Sequence, residues 1–184
     1  MIRTLPLALR NRLAETILAA IGDAQARRAL SDAAQAPETW LAADEQQWAP
    51  LLAERARRAG GALAALPPVA PRDLQAALAA AQRLFDAGLF FEVHEVLEPH
   101  WVTASGEARE ALQGVIQIAV GWQHLANDNV AGARSLLADG ASRLHGRRLD
   151  GLDFETFAQA AAQAAARLPA TVAPPRFPAR PDTI

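Results

Sequence analysis

The sequence predicts an all-α protein, a compact bundle of helical hairpins with an N-terminal helical extension. Three observations predict it. Apolar residues recur at three- and four-residue spacing through most of the 184 positions. Alanine, the strongest helix former, is used heavily, as suits helices that pack closely. No segment shows a convincing strand alternation. At 51% hydrophobic and 21% charged residues the chain is globular, and its length suits one well-buried domain.

Residues 1–70 read as the helical extension with its Pro-rich spacer. From Pro6 to about Ala34, Leu9, Leu13, Ile17 and Ala20 fall on one helical face, with Gly22-Asp23 as a point of division. A second helical stretch is expected from Pro37 to Ala59. Arg55, Arg57 and Arg58 precede Gly60-Gly61 there, the pattern of a helix stop, because cations offset the negative end of the dipole. Leu66-Pro67-Pro68-Val69-Ala70-Pro71 is a stiff spacer.

Residues 71–168 read as the helical core domain. Pro71 can open a helix whose stripe is Leu74, Leu78, Ala81 and Phe85, ending at Gly88. A short helix from Leu89 towards Trp101 follows. Ser105 is the expected N-cap of the next helix, which runs to Ala126 and is apolar nearly all round, as a central buried helix is. Asn127-Asp128-Asn129 makes a turn. Val130, Ala133, Leu137, Ala141 and Leu144 line a further helix ended by Gly146, with His145 beside it as a capping or dipole-compensating residue. Asp153 caps the last helix, which buries Phe154, Phe157, Ala161 and Leu168. Residues 169–184 form a Pro-rich tail expected to be extended or disordered. The stretch 84–88 echoes 125–129, about forty residues on, a spacing of helical hairpins.

Composition excludes several classes. A net charge of −2 supplies no basic field for nucleic acid, and the exclusive use of Arg over Lys reflects genome base composition. The absence of Cys removes disulfides, thiolate ligands and Cys nucleophiles, and fits a reducing cytoplasm. The N-terminal apolar stretch is too short for a signal peptide and is interrupted by Arg10 and Arg12; no apolar run is long enough to span a bilayer. Ser105, Ser135 and Ser142 lack a nucleophile-elbow context, and no Gly-rich phosphate loop occurs.

The segment Phe90 to Trp101 concentrates the chemistry, with two of the four histidines and three carboxylates. On a helix His94 and Glu98 are one turn apart, and Phe91 and Trp101 continue their face. Glu92 and Glu95 lie on a neighbouring face. The following helix carries Gln113, Gln117 and His124 on one stripe. Buried polar groups need partners, at roughly 1–3 kcal/mol each if left unmade, so this stripe is expected to face His94 and Glu98.

Two readings fit. In one, His94, Glu98 and His124 bind a divalent metal (Zn, Mn, Fe or Ni), supported by Trp101, Gln113, Gln117 and Phe91. Metal-assisted hydrolysis is then the reaction class, with Glu95 or Glu92 as general base. In the other, Glu98 accepts hydrogen bonds from His94, Gln117 or Trp101 in a sealed network that fixes helix packing, and the protein is a non-catalytic interaction or homo-oligomerisation module. His94-Glu95 lacks the second His of the zinc-protease pattern, since Glu98 stands there, and no paired Glu-x-x-His motif of bundle di-metal sites occurs in the segment. Pro99 predicts a kink or a helix end near Leu97, with His100 directed away from His94 to the surface.

The pattern Phe85-x-x-Gly88-x-Phe90-x-Glu92-x-His94-Glu95-x-x-Glu98-x-x-Trp101, with Leu112-Gln113-Gly114-x-Ile116-Gln117 and a later His124, resembles the domain-of-unknown-function family 309. That is a group of small prokaryotic helical proteins whose signature is His-x-x-x-Glu-x-x-Trp. The likeness covers roughly Leu74 to Leu144. It implies an all-helical fold and a functional His/Glu signature, with a suggestion of metal binding. It implies no activity, and the N-terminal extension and the tail lie outside it.

Overall fold

The computed structural model describes residues 4–180. They form eight α-helices and one two-stranded sheet, an all-α architecture. The contacts divide the chain into two compact units, one up to Arg72 and one from Asp73 onward.

The first unit contains α1 (Leu7–Gly22), α2 (Ala24–Gln35) and α3 (Ala49–Leu63). Asp23 makes the break between α1 and α2. Its carboxylate accepts from the backbone N–H groups of Gln25 (3.0 Å) and Ala26 (3.1 Å), two donors that an uncapped helix would leave unmade. Leu9, Leu13, Ile17, Leu30, Leu52 and Leu63 are fully buried and form the core. The Arg27 guanidinium donates to the carbonyls of Ala20 and Leu66, both at 2.8 Å, and so ties the spacer to α1.

Two expectations fail in this unit. The helix predicted over 37–59 is two 3₁₀ turns, Pro37–Thr39 and Ala43–Trp48, followed by α3. Pro50 lies in the first turn of α3, where its missing N–H is harmless, so the helix begins beside it rather than upstream. Nor do Gly60 and Gly61 stop α3, which runs on to Leu63. Leu63 is 1% exposed, and burying it outweighs a glycine penalty of about 1 kcal/mol each.

The second unit contains α4 (Leu74–Asp86), α5 (Phe90–Thr103), α6 (Gly106–Ala126), α7 (Val130–Leu144) and α8 (Glu155–Arg167). Asp73 rather than Pro71 starts α4, its carboxylate accepting from Ala76 N at 2.8 Å. Pro99 neither ends α5 nor breaks it; the helix continues one turn to Thr103. Ser105 stands at the N-cap position of α6 without a side-chain capping bond. Asn129 caps α7 by accepting from Gly132 N at 3.0 Å.

α6 is the central helix and packs most extensively on α7. Glycines make the approach close. A Cβ on Gly140 would stand 2.7 Å from the Gly114 carbonyl oxygen, and one on Gly114 would stand 2.9 Å from the Gly140 carbonyl oxygen. At their ends the two helices are linked by ion pairs of Glu110 with Arg143 and of Glu107 with Arg147, the latter residue just beyond α7.

A hairpin absent from the sequence reading joins α7 to α8. β1 (Arg148–Leu149) pairs antiparallel with β2 (Leu152–Asp153) across Asp150-Gly151. Both turn residues have positive φ, 49° and 80°, the backbone that Asp-Gly hairpin turns adopt. Phe154 rather than Asp153 stands at the N-cap position of α8; Asp153, one residue earlier, accepts from Glu155 N at 2.9 Å.

Residues 169–180 of the tail have neither helix nor strand, as the extended reading expects, but they are docked rather than disordered, and residues 181–184 lie outside the described residues. Phe177 is 3% exposed and sits against Phe85, Phe154 and Phe157 at ring distances of 5.7, 5.6 and 5.4 Å. Its N–H donates to Asp86 Oδ1 at 3.1 Å, and Arg180 pairs with Asp150. The Pro-rich composition predicts the irregular backbone but hides the one aromatic residue that holds it down.

Glu155 also accepts from Gly146 N and from Gln159 Nε2, both at 2.7 Å, and lies 3.0 Å from His145 Nδ1. The Gly146 N–H in the first place, then Gln159, holds its carboxyl below the ordinary carboxylate range. A depressed folded-state pKa gives stability that is full above the unfolded value, about 4.3, and is lost as pH falls through the folded value. Glu155→Gln is therefore expected to flatten the acid limb of the stability curve below about pH 5. Urea titrations at pH 7, 5, 4 and 3 read this; parallel curves for parent and variant would refute it.

Candidate metal centre

The residues of α5 divide by helical phase. Phe90, Val93, Val96 and Leu97 face the core, with Phe90 held by Phe85 at 5.1 Å and Trp122 at 6.3 Å. These anchors set the rotation of the helix. The opposite arc then carries Phe91, His94, Glu98 and Val102, which succeed each other at spacings of three and four, with Glu95 beside His94.

His94 is at the centre of that arc. Its Nδ1 lies 3.1 Å from Glu95 Oε1 and its Nε2 lies 3.9 Å from Glu98 Oε2. One ligand atom from each of the three residues lies within 4.8 Å of the others, a grouping that could hold a metal ion. The side chains of His94, Glu95 and Glu98 are 29%, 32% and 47% exposed, so the group is reached by solvent and is not a sealed network. The Phe91 ring stands edge-on to the imidazole with centroids 6.5 Å apart.

The sequence-predicted residues are only partly assembled here. Glu95 joins His94 and Glu98, whereas His124 does not belong to the group. The Nδ1 of His124 is 2.7 Å from Asn129 Nδ2, so this imidazole braces the turn between α6 and α7. Glu92 is 0% exposed, on the core side of α5, which removes it as a base for anything bound on the outer arc. The cause is helical phase: two residues before His94 the side chain is directed roughly 200° away.

Gln117 Oε1 is buried and has no hydrogen-bond partner among the described residues. Gln113 is half-buried on the same helix. Trp101 supports the helix connection instead. The Arg109 guanidinium lies 4.2 Å over its indole ring and donates to the Trp101 carbonyl at 2.8 Å. An Arg eight residues after a Trp was a readable signal, because a tight turn between two antiparallel helices brings such positions together. His100 is half-buried near the end of α5, one of its carbonyl's partners being Ala104 N at 3.0 Å.

Three cavities of the two units lie elsewhere. The largest, about 480 Å³, runs between α7 and α8 and is lined by Ala138, Ala141, Ala158 and Ala162 among others. The second, about 380 Å³, lies between α2 and α3, and the third, about 220 Å³, between α4 and the tail. None of the three is lined by His94, Glu95 or Glu98. No described helix is long and apolar enough to cross a membrane.

Residues 78–136 match the family model described as Domain of unknown function (DUF309). The matched segment runs from α4 into α7 and contains His94, Glu95, Glu98, Trp101, Gln117 and His124. The family resemblance drawn from the residues is thereby supported over this segment. No curated protein and no solved structure matches the chain.

Proposed function

With its central segment matched to a family defined by no activity, we propose that this protein binds a divalent cation at His94, Glu95 and Glu98. The observation that carries the reading is the convergence of one imidazole and two carboxylates within 4.8 Å on a solvent-reached helical face. Imidazole with carboxylate is the donor set of Zn, Mn, Fe and Ni. Ligand atoms about 2.1 Å from one ion lie at most about 4.2 Å apart, so the 3.9 Å between His94 Nε2 and Glu98 Oε2 fits a shared ion with little movement.

Each residue then has a role. His94 contributes Nε2 and Glu98 a carboxylate oxygen. Glu95, beside Nδ1, holds the tautomer and the ring orientation, as carboxylates behind metal-bound imidazoles do. A divalent ion supplies Lewis acidity and an acidified water when bound, and metal-assisted hydrolysis is the reaction class this serves. In that role Glu95 is committed to the imidazole rather than to a substrate proton.

Isothermal titration of the full chain with ZnCl₂, MnCl₂ and NiCl₂ tests the proposal, beside elemental analysis of untagged protein. Parent protein is expected to bind, and His94→Ala or Glu98→Gln to weaken binding at least about tenfold. An ion at a hundred times its Kd raises stability by about 2.7 kcal/mol, seen as a rise in Tm absent from the His94 variant. Equal heats and equal Tm values for parent and His94→Ala would overturn the proposal.

A further inference from the structure

We propose that the outer arc of α5 docks against the same arc of a second copy of this chain, and that the two copies share the cation. This rests on the cation reading above and names the partner of that site.

The first support is the one-sidedness of the ligand set. All three residues come from five consecutive positions of one helix, so their donors approach an ion from one side. The imidazole can give an ion only one nitrogen. With Glu95 at Nδ1 and Glu98 at Nε2, an ion on Nε2 finds two direct ligands in this chain. Protein sites for Zn and its neighbours draw three or four. Two copies supply two imidazoles and two carboxylates, four donors, and a water on the ion then takes a fifth position.

The second support is the register of the arc. A twofold axis across α5 level with Val96 sets His94 of one copy opposite Glu98 of the other. The same axis sets Phe91 opposite Val102, because both pairs are centred near that residue. Val102 is 60% exposed, a large apolar side chain that its own chain leaves uncovered. The arc is thus apolar at both ends and metal-binding in the middle, and it is complementary to itself. Charge makes the docking conditional. Pairing two arcs gathers four carboxylates, from Glu95 and Glu98 of each copy, and such a cluster is repulsive until a cation lies within it.

Sedimentation equilibrium of the full chain tests this in EDTA and at rising ZnCl₂ or NiCl₂, with bound metal counted in the same samples. The expected result is the mass of one chain in EDTA and of two chains with metal, at one ion per two chains. Val102→Glu, which leaves His94 and Glu98 in place, should weaken association and ion binding together, each at least tenfold. His94→Ala should lose both. One ion per chain at the mass of a single chain would overturn the shared site and leave the cation reading standing. Dimer that persists in EDTA or in His94→Ala would overturn it too, since no ion would then join the copies. Absence of any bound ion would overturn both readings together.

Discussion

Phe177→Ala is expected to destabilise the unit from Asp73 onward by about 3–5 kcal/mol, the range for deleting a fully buried aromatic side chain. Phe177 closes a cluster with Phe85, Phe154 and Phe157, and the last two meet each other edge to face at 6.0 Å. Removing the ring leaves a void lined by α4, α8 and the connection before α8, three elements far apart in sequence. Among the described residues the tail, 169–180, has no helix or strand to hold it in place of that contact. Its other ties among the described residues include the Phe177 N–H to Asp86, the pairs of Arg176 with Asp86 and Arg180 with Asp150, and the Arg180 bond to the Asp150 carbonyl. Surface pairs of this kind contribute at most about 1 kcal/mol each. Urea unfolding followed by the emission of Trp101 and Trp122, in parent and variant that both carry Trp40→Phe and Trp48→Phe, reads the change. Phe177→Leu should recover more than half of the loss. A loss below about 1 kcal/mol for the alanine variant would mean that the tail is not part of the folded core.

That the tail matters was hidden in the sequence for a physical reason. Local composition reports backbone preference, and a segment with prolines at 169, 174, 175, 178 and 181 cannot be helical. Whether one aromatic residue within it is buried depends on a cavity built by residues 85, 154 and 157. The helices were legible because each has an apolar face long enough to show its period. The short hairpin was not, although Asp150-Gly151 between two leucines was its signal. Gly60 and Gly61 misled because a terminal glycine and a tolerated internal one look the same until Leu63 is known to be buried.

The site divides in the same way. That His94 and Glu98 share a face follows from spacing within one helix, and the structure agrees. That Gln117 and His124 would meet them required the rotation of α6 about its own axis, which packing of Phe90 on Trp122 and of Gly114 on Gly140 sets. Spacing within α6 carries no information on that angle. Glu92 shows the reverse case: its burial was computable from helical phase once Val93, Val96 and Leu97 were assigned to the core.

Gly140→Ala should therefore destabilise the same unit by about 1–3 kcal/mol, although alanine is the better helix former by about 1 kcal/mol. The added methyl would stand 2.7 Å from the Gly114 carbonyl oxygen and 3.0 Å from Ile118 N, and both are backbone atoms of a buried helix. Neither can turn aside as a flexible side chain can, so α7 must move away from α6 along much of their contact. The comparison that isolates this cause is Gly60→Ala. Gly60 also lies within a helix, but no atom stands within 4 Å of its added Cβ. That change should stabilise its own unit by about 0.5–1 kcal/mol through helix propensity alone. Opposite signs for the two glycines, read from denaturant midpoints of the full chain, would establish that the α6–α7 distance is set by contact between backbones. Stabilisation by both would show that α7 can shift freely. The rotation of α6, which keeps His124 apart from His94 and Glu98, would then have to be fixed by the packing of Trp122 on Phe90.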